Sequence, residues 1–167
     1  MALTIICIAM SVTAQAQRLN VSLLTCFPGQ EVFELYGHTA IRITDGATMD
    51  RVYNFGLFSF NQPHFVYRFV KGETDYAVGG YPTEYFTPEY AERGSKVVEQ
   101  RLRLTEQQAL WLFNELERLC LPENREYRYN YVLNNCATRP RDLIEQAVGG
   151  LTYPPSEHPD ATYRDIK

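Results

Sequence analysis

Tyr36-Gly37-His38-Thr39-Ala40-Ile41-Arg42-Ile43-Thr44, the turn signal Asp45-Gly46, and Arg51-Val52-Tyr53-Asn54-Phe55-Gly56-Leu57-Phe58 decide the fold. Both flanking runs are rich in β-branched and aromatic residues, and Asp-Gly between such runs predicts a β-hairpin. In the first strand His38, Ala40 and Arg42 share one face, and Thr39, Ile41 and Ile43 share the other. In the second, Val52, Asn54 and Gly56 face one way, and Tyr53, Phe55 and Leu57 the other. Upstream, Leu19 to Cys26 reads as a strand ended by Pro28-Gly29, and Gln30 to Leu35 as a short turn or helix. Downstream, Phe65, Phe69 and Val70 have helical spacing within Pro63 to Val70, and Gly72 stops that segment. Thr74 to Tyr81 is extended, with Gly79-Gly80 marking a bend or a close backbone approach. Pro82 to Arg93 reads as a helix interrupted by Pro88, and Lys96 to Leu104 as a strand. Thr105 caps a helix with Gln108 placed to complete a capping box. Its expected core stripe is Leu110, Phe113, Leu116, Leu119 and Cys120, ended by Pro122. Asn135 to Ala147 is the last helix, stopped by Gly149-Gly150, and the tail from Leu151, with Pro154-Pro155, is loop-like. The expectation is one α+β domain with helices packed on an antiparallel sheet.

At 167 residues, 45% hydrophobic and 22% charged, the chain suits one full core. A net charge of −4 removes the basic footprint that a nucleic-acid partner needs. Residues 1–16 read as a signal peptide: an apolar run from Ala2 to Val12, then the small-residue cleavage signal Ala14-Gln15-Ala16. Neither Cys7 nor Cys26 follows a small residue, so a lipid anchor on either is not expected. Cleavage leaves Cys26, Cys120 and Cys136 in residues 17–167, an odd set for an oxidising compartment. Two readings stay open: Cys26 pairs with Cys120, or Cys120 is a small buried hydrophobe on its helix. His38, His64, His158 and the cysteines show no zinc-type spacing, so no metal and no cofactor are expected. His64 and His158 sit in polar or Pro-rich surroundings and read as solvated surface residues.

The chemistry concentrates in Tyr131-Val132-Leu133-Asn134-Asn135-Cys136-Ala137-Thr138-Arg139, set against the His38 strand. Cys136 stands at a helix start behind two good N-cap residues, where the dipole and free amides favour a thiolate. Pro140 complicates that start, so the regular helix begins at Cys136 or nearer Thr138. Cys136 is the candidate nucleophile and His38 its base, provided the fold joins these distant segments. Asn54, on the strand beside His38, is the candidate third group that orients the imidazole, with Tyr53 as the alternative if the register slips. Asn134 and Asn135 are candidate oxyanion donors. Read without function, Cys136 is a buried structural thiol, His38 a strand-end histidine and Asn54 a bulge residue before Gly56.

A histidine strand, an adjacent strand with a polar residue and a late Asn-Cys helix start resemble the circularly permuted papain-like (NlpC-type) fold. Lecithin:retinol acyltransferase-like enzymes have this order. The segments Pro28-Gly29, Tyr36 to Arg42, Tyr53-Asn54-Phe55-Gly56 and Tyr129-Asn130-Tyr131 through Arg139 more closely resemble the periplasmic domain of Bacteroides-type lipoprotein N-acyltransferases. That resemblance implies a periplasmic, cell-envelope thiol acyltransferase with phospholipid and lipoprotein substrates. Cys136 would carry the acyl group as a thioester, His38 would move protons and Asn54 would orient His38. Members of the family carry membrane helices after this domain, so residues 17–167 would be the N-terminal part of a longer membrane protein. A secreted cysteine peptidase or amidase acting on cell-wall peptides, and a non-catalytic domain that binds a membrane partner, are the competing readings. An apolar cleft lined by Tyr36, Phe55 or Tyr131 would favour lipid.

Overall fold

The computed structural model describes residues 18–29, 36–58, 64, 67–68, 71 and 73–155. The expected signal peptide, the 30–35 turn, most of the 63–70 helix, His158 and the end of the tail lie outside the described residues. Among the described residues six strands run in chain order as β1 (Asn20–Cys26), β2 (His38–Thr44), β3 (Asp50–Leu57), β4 (Asp75–Pro82), β5 (Val97–Arg101) and β6 (Glu126–Arg128). The longer helices among the described residues are α1 (Thr83–Glu92), α2 (Glu106–Leu119) and α3 (Thr138–Val148). The strands form one antiparallel sheet in the order β5-β1-β2-β3-β4-β6. The expected α+β class, the antiparallel sheet and the β2–β3 hairpin are all present.

The alternation in β2 decides which helix lies on which face. Ile41 and Ile43, with Tyr53 and Phe55 of β3, bury against Leu112 and Leu116 of α2 and Leu143 and Ile144 of α3. Ala40 and Val52 face the other way, with Leu24 and Cys26, onto Phe86 and Tyr90 of α1. A period of two on the strands therefore serves two layers of helix at once. The N-terminus of α1 is held by the Thr83 hydroxyl, which donates to Asp50 Oδ1 at 2.6 Å. Asp50 also takes Arg42 in a two-pronged contact of 2.8 and 2.5 Å, and Arg42 reaches Glu99 of β5 at 2.9 Å. Three strands, β2, β3 and β5, are thus tied across one surface by a planar guanidinium.

Several expectations are corrected. The stripe of α2 that meets the sheet is Ala109, Leu112, Leu116 and Leu119, whereas Leu110 is 52% exposed. Both sets have helical spacing, and only the docking angle chooses between them. The capping box of Thr105 and Gln108 forms as expected. Pro88 does not interrupt α1, because Phe86 and Tyr90 on either side of it anchor the helix to the sheet. The strand expected over 96–104 contracts to Val97–Arg101, an exposed edge whose Glu99 and Arg101 discourage further pairing. β6 was not expected; its three residues pair with β4 and are too short to show a period. Gly79-Gly80 marks a close approach: a side chain on Gly79 would strike Leu57, and one on Gly80 the Tyr53 ring.

Candidate active site

β2 begins at His38, opposite Cys26 of β1, and is entered through Gly37 at φ +70°. A Cβ on Gly37 would lie 2.5 Å from the Cys26 carbonyl oxygen, so the chain turns into the strand here only because no side chain is present. On β3, Asn54 stands opposite Ala40 and shares the α1-side face with His38, as alternation requires. The Nε2 of His38 lies 2.8 Å from Asn54 Oδ1. The register between β3 and β4 slips between Asn54 and Leu57, so Asn54 stands at the edge of a β-bulge. Its Oδ1 also accepts from the Gly56 N–H at 2.7 Å, and its Nδ2 donates to the Tyr81 hydroxyl at 3.0 Å. Asn54 is therefore both a bulge residue and a partner of the imidazole. The bulge is tied from behind by the Tyr127 hydroxyl, which donates to the Phe55 carbonyl.

The 130–138 segment is built by its asparagines. Asn130 and Asn134 bridge each other through backbone bonds of 2.9 and 3.0 Å, closing a tight loop. Asn135 Oδ1 accepts from the N–H groups of Ala137 and Thr138 at 2.8 and 3.0 Å, while Thr138 Oγ1 accepts from the Asn135 N–H at 2.8 Å. This reciprocal pair caps the helix one turn ahead of its regular start at Thr138 and places Cys136 directly after the cap. Pro140 has no N–H to return to the Cys136 carbonyl, which is why regular helix begins later. The amide nitrogens of Asn134 and Asn135 donate to the carbonyls of Arg128 and Tyr131, at 2.8 and 2.7 Å. Both side chains thus hold the loop, and the free donors beside the sulfur belong to the backbone.

Cys136 packs at the end of the α2/α3-side core, among Tyr76, Tyr127 and Tyr129. Its sulfur faces the backbone N–H groups of Thr39 and of Cys136 itself. Pairing of β2 with β3 runs only from Thr44 back to Ala40, so the Thr39 amide lies one residue beyond the ladder. Cys136 and His38 thus both lie at the start of β2, the sulfur at the Thr39 amide and packed against the α2/α3-side core, the imidazole on the α1-side face beside Tyr90. Among the described residues no direct hydrogen bond joins them. Arg139 completes the setting: its guanidinium lies 4.1 Å from the Tyr127 ring centroid and donates to Asn134 Oδ1 at 3.2 Å.

The electrostatics correct one expectation. Burial raises the Cys136 thiol above its ordinary range, and the Thr39 and Cys136 amides offset that only in part. Burial likewise pushes His38 down to about 4, with Asn54 opposing the shift and the positive charge of Arg93 adding to it. At neutral pH the pair therefore rests as thiol and neutral imidazole, not as the ion pair that a helix N-terminus alone would favour.

Of the remaining candidates, Tyr53 points to the opposite face and bonds Glu117, so the register has not slipped. Phe55 is wholly buried and lines no cleft, whereas Tyr36 and Tyr131 are exposed and meet edge-on at 4.9 Å, beside the 70%-exposed Leu133. All three described cysteines are free. Cys26 lies on the α1 side and Cys120 packs against the α2/α3-side core, so the sheet itself separates the two thiols. His64 is exposed, in keeping with a surface role. Sequence reasoning did not single out Thr39, Tyr81 or Arg139, because an amide direction and a contact across three strands leave no periodic signal. No curated protein and no solved structure matches the chain significantly. The model of the Lnb N-terminal periplasmic domain matches residues 9–167, nearly the whole chain, and so the protein belongs to that family and its place is the periplasm.

Proposed function

We propose that this domain is a thiol acyltransferase that takes a fatty acyl chain from a phospholipid and delivers it to the N-terminus of a lipoprotein. The observation that supports this reading is that the Cys136 sulfur faces the amide of Thr39, the residue that follows the Asn54-bound His38 in β2. In the first half-reaction the sulfur attacks the ester carbonyl while His38 takes the thiol proton. The oxyanion is held by the Thr39 and Cys136 amides that now face the sulfur, within the loop that Asn134 and Asn135 keep closed. The carbon–oxygen bond then breaks, His38 returns the proton to the lysophospholipid oxygen, and the acyl group remains on sulfur. In the second half-reaction the lipoprotein amine attacks the thioester carbonyl and its proton passes to His38; the carbon–sulfur bond breaks, His38 returns the proton to sulfur, and the thiol is restored as the amide leaves. Because thiol and imidazole are both neutral at rest, proton transfer and attack occur together, and the thiol–imidazole hydrogen bond has to form when substrate is bound. The chain order of His38 strand, Asn54 strand and Cys136 helix supports assignment to the circularly permuted papain-like architecture. Exposed Tyr36, Tyr131 and Leu133 at the loop before Cys136 favour a lipid donor over a cell-wall peptide.

The test is incubation of the purified protein with phospholipid vesicles, followed by mass spectrometry. An acyl adduct on the Cys136 peptide is the expected result. No adduct, together with release of cell-wall peptides from peptidoglycan, would establish the amidase reading instead.

A further inference from the structure

Gly56 meets the His38–Asn54 pair in two ways, through the space its missing side chain leaves and through its backbone N–H. Its φ lies outside the left-handed region, so the conformation is open to any residue. What excludes a side chain is the imidazole: a Cβ at position 56 would lie 2.6 Å from His38 Cε1 and 3.2 Å from Nδ1. The ring occupies the place where that methyl would stand. Gly56 also donates its N–H to Asn54 Oδ1 at 2.7 Å. An N–H can meet only an acceptor, so this contact sets which end of the Asn54 amide is oxygen. The same oxygen lies 2.8 Å from His38 Nε2, so Nε2 carries the proton and Nδ1 keeps the lone pair.

We infer that Gly56 is a positioning residue for His38: its amide selects the imidazole tautomer, and its missing side chain seats the ring. The link to catalysis rests on the reading of His38 as the base, and the seating of the ring does not. Tyr81 supports the arrangement from the other end, by accepting from Asn54 Nδ2.

Gly56→Ala tests the inference in wild-type and His38→Ala backgrounds. In the wild type the urea midpoint should fall, and in His38→Ala it should fall much less, because the two nearest atoms in the way have been removed and only the milder approach to Asn54 Oδ1 at 3.3 Å remains. Nitrogen-15 spectra of the imidazole should show one dominant Nε2–H tautomer in the wild type and a mixture in Gly56→Ala. Alkylation of Cys136 by iodoacetamide should slow by about tenfold in Gly56→Ala. Equal midpoint shifts in both backgrounds, or unchanged imidazole spectra, would overturn the inference. A changed tautomer with unchanged alkylation would uphold the positioning and refute His38 as the base. Should Gly56→Ala fail to fold, recovery of folding in the Gly56→Ala, His38→Ala double variant supports the inference, and its absence refutes it.

Discussion

Acid should destabilise this protein through His38 before most carboxylates titrate. The imidazole drops from its ordinary 6.5 to about 4 on folding, because the ring is desolvated and lies in the field of Arg93. Above pH 6.5 the group is neutral in both folded and unfolded chains and contributes nothing. As the pH falls below 6.5 the unfolded chain binds a proton that the folded site refuses, so stability declines until about pH 4 and is then level with respect to this group. A shift of this size corresponds to a full loss of about 3.4 kcal/mol, of which about 2 kcal/mol is already gone at pH 5. The assay is urea denaturation at pH 7.5 and 5.0, for the wild type and for His38→Gln, whose amide can still donate to Asn54. The wild type should lose about 2 kcal/mol more than the variant over that interval. Parallel losses in both proteins would refute the claim that the ring is held neutral by burial.

Cys136→Ala should fold with a near-native urea midpoint and form no acyl adduct with phospholipid, and an adduct on the variant would place the acyl group elsewhere. Alkylation of Cys136 should keep rising with pH through and beyond neutrality, because burial raises the thiol, and a rate already level at pH 6 would show a preformed thiolate. Cys26, buried and pushed up to about 11, should be the slowest of the three described thiols, and faster labelling there than at Cys136 would contradict this packing. Asn54→Ala removes the acceptor of Gly56 and His38 in a buried position, and should cost about 1–3 kcal/mol in denaturation experiments. A variant with unchanged stability would show that water replaces the amide.

The local devices were legible wherever a short-range rule acts. The Asp45-Gly46 hairpin, the Thr105–Gln108 capping box and the alternation that puts Asn54 on the face of His38 each follow from spacing and side-chain chemistry alone. So did the two descriptions of Asn54, as bulge residue and as orienting residue, which are one fact: the bulge before Gly56 aims the amide at the ring. Leu110 misled because a helix offers overlapping apolar stripes, and the angle at which α2 docks decides which stripe is buried. β6 and the surroundings of Cys136 were invisible, since three residues show no period and neighbours drawn from several segments have no spacing.

From its letters alone, this chain determined most of its strands, the caps of α2 and α3 and the residues able to do thiol chemistry, because those depend on neighbours within about one turn or one hairpin. Only the tertiary structure decided that Cys136 meets the open end of β2, that its thiol is raised rather than lowered, and that Gly56 must lack a side chain. Those outcomes depend on desolvation and on contacts between segments distant in sequence. Burial is a property of the folded whole, and no local pattern of residues encodes it.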